Sequence, residues 1–182
     1  MFGNLFGKKD KTPEGPIFSY ITYMSTAAKF RACANLAITD PSVHFIAWFP
    51  DTATKLKSAF SGLGLDTIRI HEARSFHSGM TGESQLVIAE PYPLHEKEKA
   101  LVQNWRQDEV KVYCGLDEPF FERFGSDRII GMMQKLGMKE DEPLQHKLIS
   151  QSIINAQKKI AGKVQLEQSA SSQQGWVQKN LR

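Results

Sequence analysis

A chain of 182 residues, 41% hydrophobic and 24% charged, can bury a core and is long enough for one domain with an appendage or two very small domains. Its net charge of +3 is slight and gives no support for a dedicated nucleic-acid binder, which would show a clustered basic face. No apolar run reaches the length of a membrane span and no signal peptide is visible, so a cytoplasmic protein with no membrane span is expected.

Residues 1–16, MFGNLFGKKDKTPEGP, mix glycine, proline and lysine without a period. They read as a flexible leader, or as a docking motif of Phe2, Leu5 and Phe6 ahead of a basic patch. From Ser19 to Ile38, Tyr20, Tyr23, Met24, Ala27, Ala28 and Ala34 fall at helical spacing, and Thr39-Asp40-Pro41 stops the helix. The run VHFIAWF (43–49) is too short for a helix and too apolar for an edge strand, so it predicts a buried parallel strand. Asp51 caps the next helix, which Gly62 and Gly64 close, and DTIRIHEA (66–73) is a second strand.

After a polar loop over 74–84, QLVIAEPY (85–92) is a third strand, a helix runs from Pro93 to Trp105, and VKVYCGL (110–116) is a fourth. Alternating strands and helices predict an α/β fold with a mostly parallel sheet. Cys33 and Cys114 sit far apart in apolar surroundings, which suits buried thiols better than a disulfide or metal pair.

Asp117 to Met138 is dense in large apolar residues and reads as two short helices. Asp117 caps the first and Gly125 closes it; Ser126 and Asp127 start the second and Gly137 ends it. Beyond a charged connector, a helix from Leu144 to Lys163 carries the stripe Ile149, Ile153, Ala156 and Ile160. The Ser/Gln-rich end, 169–182, reads as disordered until it meets something, with Trp176 and Val177 as docking candidates.

Two patches resemble the SecA preprotein-translocase ATPase, at the end of its second RecA-like nucleotide-binding domain and the start of its helical scaffold. In Phe120–Ile160, Phe124-Gly125-Ser126-Asp127-Arg128 is followed by Gly131-Met132-Met133-Gln134-Lys135-Leu136-Gly137-Met138. Glu142-Pro143, His146 and Asn155-Ala156-Gln157-Lys158-Lys159 continue the family pattern in register. Over 27–77 the order of elements, ending in IRIHEARSFHS, is similar to the family's more than the letters are. The resemblance implies a RecA-like domain over 17–138 (helicase C-terminal-like) and a helical extension over 139–168.

The departures from the family are catalytic. A P-loop needs GxxxxGK[ST], and Gly62-Leu63-Gly64 is followed by no Lys-Ser/Thr. The family's magnesium-binding motif belongs to a domain with no counterpart here. AEPYPLHEKE stands where the family has a glycine-rich motif with an Asp, and of QxxGRxGRxGD only Arg106-Gln107-Asp108 remains. Arg106 is thus a vestigial candidate for nucleotide contact, and an arginine finger acts only opposite a held phosphoryl group. No catalytic residue, cofactor or metal is expected; the histidines lack ligand spacing such as HExxH, and no GxSxG elbow is present.

The expectation is therefore a non-catalytic SecA-related binding or regulatory module linked to protein export, meeting SecA, other export components or a second copy of itself. Phe120, Phe121, Phe124, Met132, Met133, Ile149, Ile153 and Ile160 are the contact candidates, although methionines at such spacing also suit a core. The alternative is a small-molecule or nucleotide-binding protein, or an enzyme, with a pocket at the carboxyl ends of the strands near Asp51, His71, Glu72 and Glu90.

Overall fold

The computed structural model describes residues 15–80, 82 and 84–181; the leader expected over 1–16 lies outside them except for Gly15 and Pro16. The strands are β1 (Ile17–Tyr23), β2 (His44–Ala47), β3 (Ile70–Glu72), β4 (Leu86–Ile88) and β5 (Glu109–Gly115). They form one all-parallel sheet in the order β1-β5-β4-β2-β3. The helices are α1 (Thr26–Thr39), α2 (Pro50–Gly62), α3 (His95–Val102), α4 (Pro119–Glu122), α5 (Ser126–Lys135), α6 (Lys147–Ala161) and α7 (Gln173–Asn180). This is an α/β fold consistent with a RecA-like domain.

The first expected helix is corrected. Residues 17–23, IFSYITY, form β1 and pair with β5 from Ile17 opposite Glu109 to Tyr23 opposite Gly115. Their β-branched and aromatic side chains suit a strand buried on both faces, and that preference overrides the helical spacing of Tyr20, Tyr23 and Met24. The helix begins only at Thr26, where the Ser25 hydroxyl accepts from the Ala28 backbone nitrogen at 3.1 Å.

Alternating strand residues feed two cores. Tyr20, Ile46, Ile88 and Val112 pack with Val102 of α3, Ile153 and Ile160 of α6, and Trp176 of α7. Ile21, Phe45, Val87 and Tyr113 pack with Ala34 of α1 and with Leu56 and Phe60 of α2.

An open edge on β1 would present unpaired backbone groups. The connector and α6 cover it. Thr22 and Leu144 exchange both backbone hydrogen bonds, at 2.9 and 2.8 Å, and the Tyr20 nitrogen donates to Ser150 Oγ at 3.1 Å. Below α6 lies a buried polar network. Tyr20 Oη donates to Glu98 Oε2 at 2.5 Å, and Gln157 Nε2 donates to Glu98 Oε2 at 2.8 Å and to the Tyr92 carbonyl at 2.7 Å. Burial, reinforced by Glu98, holds the Tyr20 phenol well above its ordinary pKa, so it stays a donor.

Two further expectations change. Glu118 rather than Asp117 precedes α4, with Pro119 in its first turn, while Asp117 Oδ1 instead accepts from the Thr26 nitrogen and hydroxyl at 2.6 and 2.7 Å. The segment read as disordered, 169–182, carries α7 among its described residues. Ser172 caps that helix by accepting from the Gly175 nitrogen, and Trp176 is fully buried with its Nε1 donating to Glu167 at 3.0 Å. A single large aromatic anchors a polar segment whose composition argued for disorder.

Candidate functional site

Two concavities matter: a polar cleft at the carboxyl ends of the strands, and an apolar groove beside α6. In open parallel sheets ligands bind beyond the strand ends where neighbouring connections diverge. Here that point lies between β2 and β4, because β2 leads through α2 outward to β3 while β4 leads through α3 back to β5.

Glu90, just beyond β4, fills that crevice. Its Oε1 accepts from the backbone nitrogens of Trp48 and Phe49 at 2.9 and 3.0 Å, and its Oε2 accepts from Thr52 Oγ1 at 2.6 Å. The Phe49 nitrogen belongs to the residue that opens α2 and the Thr52 hydroxyl to its first turn, where the helix dipole favours an anion. A carboxylate of the chain itself thus occupies the helix terminus.

Lys29 of α1 and Glu118 form a fully buried ion pair alongside, and Glu118 Oε2 also accepts from the Gly115 nitrogen at 3.0 Å. Burial alone would depress the Lys29 pKa, but the carboxylates of Glu118 and Glu90 raise it above the ordinary lysine value. With one cation between two buried acids, burial pushes Glu90 up to about 7.

The C-terminal segment roofs the cleft. The Asp51 nitrogen donates to the Ser171 carbonyl at 3.0 Å, the Phe120 nitrogen to Gln173 Oε1 at 2.9 Å, and Gln173 Nε2 to the Pro91 carbonyl at 3.2 Å. What remains is a cavity of about 330 Å³ lined by Thr26, Lys29, Asp51, Thr52, Glu90, Glu118 and Gln173, among others.

The groove is different in kind. Leu116, Phe120, Phe121, Phe124, Ile129 and Leu144 line one side, and Leu148, Ile149, Ser152, Ile153 and Ala156 of α6 line the other, around about 310 Å³. Thr22 lies in its lining, and its buried hydroxyl has no hydrogen-bond partner among the described residues. Ile129, which lines the groove, and Met132 of α5 are exposed together with Leu136 just after the helix, Leu136 to 74%. Their spacing of three and four residues makes a continuous unpartnered stripe.

The contact candidates divide accordingly. Phe120, Phe121, Met133, Ile153 and Ile160 are buried in the core, and Ile149 is half-buried against it. Phe124 and Met132 are exposed. Of the pocket candidates, Asp51 and Glu90 meet at the strand-end cleft. His71 does not join them: its Nε2 lies 2.8 Å from Nδ1 of His44, with the rings stacked. Glu72 pairs with Arg74 at 2.7 Å. Arg106 precedes β5 and so sits at the amino ends of the strands, beside Ser84 and Trp105, far from any strand-end ligand. Sequence reasoning missed Lys29, Thr52, Glu118 and Gln173. The one available signal was Lys29 in line with Cys33 and Ala37, a lysine on the buried side of α1.

No family model matches the chain. A 53-residue stretch, 29% of the chain, is 49% identical to protein translocase subunit SecA 1 of Clostridioides difficile. Stretches of 51 and 52 residues are 51% and 48% identical to the SecA subunits of Acidithiobacillus ferrooxidans and Nitratidesulfovibrio vulgaris. Over these stretches the chain is similar to SecA. The matched stretches span 6% of each of those SecA proteins. Among the described residues no helix is long and apolar enough to cross a membrane, and no group of three or more His, Cys, Asp or Glu is placed to hold a metal.

Proposed function

We propose that the chain is a non-catalytic, SecA-related protein-binding module of the cytoplasm, linked to protein export, that meets its partner through the groove between α5 and α6. One contrast carries this reading: the strand-end crevice is filled from within by Glu90 and roofed by Gln173, whereas the groove is left open and apolar. A phosphate at the α2 terminus would have to displace a buried carboxylate already bonded to two backbone donors, and would meet Glu118 close by. A ligand of the 330 Å³ strand-end cavity is the second reading, favoured by its buried charges but opposed by its excess of acids over bases.

The test is twofold. Titration calorimetry with ATP and ADP is expected to show no binding up to millimolar nucleotide, and tight binding overturns the non-catalytic reading. A photo-crosslinker placed at Met132 is expected to trap a component of the export machinery, and to lose it when Ile129→Asp is added. Trapping only proteins with no part in export overturns the assigned pathway.

A further inference from the structure

The helices flanking the groove are unevenly charged. Together α5 and α6 carry five basic side chains, Arg128, Lys135, Lys147, Lys158 and Lys159, against one acid, Asp127; α4 adds Glu122. None of the five bases forms an ion pair with another described residue; in the connector Glu140 is held by Arg31 at 3.1 Å, while Asp141 and Glu142 form no ion pair among the described residues. On α5, Arg128 and Lys135 each precede a residue of the exposed stripe, Ile129 and Leu136. On α6, Lys159 falls three residues beyond Ala156 and continues the groove line of Leu148, Ser152 and Ala156. An apolar trough about two helical turns long, roughly 12 Å from Leu148 to Ala156, is thus flanked by Arg128, Lys135 and Lys159, whereas Lys158 lies on the α3 side of α6.

Resting on the protein-binding reading above, we infer that the groove takes an acidic amphipathic helix of a partner protein. Its bulky apolar side chains, at three- and four-residue spacing, would lie against Phe124, Ile129, Met132 and Leu148, and its carboxylates would meet Arg128, Lys135 and Lys159. Charge argues against a second copy in this place, since a two-fold pairing of the face would set Arg128, Lys135 and Lys159 against their own copies. A donor group on the incoming helix would also give the Thr22 hydroxyl the partner it lacks.

The test uses the full chain and a fluorescein-labelled helical peptide with leucines at i, i+3, i+4 and i+7 and glutamates on its other face. A twin with lysine for glutamate is the control. Anisotropy is expected to show the glutamate peptide binding at least about tenfold tighter than its twin, with the difference shrinking as salt screens it. Met132→Asp, an exposed position, is expected to abolish binding while circular dichroism and the unfolding midpoint stay as in the parent. The triple variant Arg128→Glu, Lys135→Glu, Lys159→Glu is expected to reverse the peptide preference.

Equal binding of the two peptides overturns the acidic-partner inference and leaves the groove as a protein site. Binding of neither, while the Met132 crosslinker still traps an export component, also overturns it without touching the functional reading. Binding to phosphatidylglycerol vesicles but to neither peptide replaces the partner helix with a membrane surface. A concentration-dependent dimer that Met132→Asp dissolves puts a second copy in the groove instead.

Discussion

Glu90 Oε1 lies 3.0 Å from the backbone nitrogen of Phe49, so a residue two beyond β4 caps the helix that follows β2. The bond closes the diverging end of the sheet with the chain's own carboxylate. Because burial raises the Glu90 pKa from 4.5 to about 7, the native state holds a proton that the unfolded chain has lost between those values. Its contribution is therefore fully present below the unfolded pKa and is lost as pH rises through about 7. Glu90→Gln keeps an oxygen for Trp48 and Phe49 and an amide for Thr52 but cannot titrate. Urea unfolding from pH 5 to 8 is expected to show the parent losing roughly 3 kcal/mol from this group, with the Gln variant flat in that component. Glu90→Ala, which orphans two backbone donors, is expected to cost about 2–4 kcal/mol at pH 6.

Trp176 tests whether the C-terminal segment is an integral part of the fold. Its indole is fully buried, stacks edge-on to Tyr92 and donates to Glu167, and the segment before it roofs the cleft through Ser171 and Gln173. Trp176→Ala is expected to destabilise by about 3–5 kcal/mol and to raise amide exchange across 171–180. Trp176→Phe retains most of the packing and is expected to lose about 1 kcal/mol with the hydrogen bond.

Much of this was legible beforehand, for reasons that also explain the misses. VHFIAWF and VKVYCGL declared themselves because continuous apolar runs of that length have few alternatives to a buried strand. IFSYITY was misassigned because its aromatic and β-branched content was weighed less than a spacing it shares with the real helix beyond Ser25. The C-terminal helix was hidden for the opposite reason: six of its eight residues look like linker, and the burial of Trp176 and Val177 holds it to the core. Glu90 was singled out from its place after a strand, but its partners Thr52, Lys29 and Glu118 come from three other elements. Nothing in local sequence brings them together.

Met132 and Met133 are adjacent in sequence and opposite in consequence. Met133 is 4% exposed in the core shared with Phe121 and Ile153, while Met132 is 62% exposed on the rim of the groove. Met133→Ala is expected to cost about 2–4 kcal/mol in chemical denaturation. Met132→Ala is expected to change stability by no more than about 0.5 kcal/mol. A large loss at Met132 would mean that its side chain is packed away, and would remove it from any docking surface.

The histidine pair sets the acid limit of the same fold. His44 Nδ1 and His71 Nε2 are 2.8 Å apart, a distance that requires one imidazole to donate and the other to accept, so at least one of the two rings is neutral. Burial lowers both pKa values, aided at His44 by Arg69 and at His71 by His44 itself and by Lys57 on α2. A lowered histidine pKa gives stability that is present above the unfolded value near 6.5 and is lost as pH falls through the folded one. Glu90 acts in the opposite sense between 4.5 and 7, so the two partly cancel in the parent. In a Glu90→Gln background the unfolding midpoint is expected to fall steadily as pH drops below about 6.5. Adding His44→Gln and His71→Gln is expected to remove most of that slope. If the slope persists in the triple variant, the acid sensitivity belongs to other carboxylates and not to the stacked imidazoles.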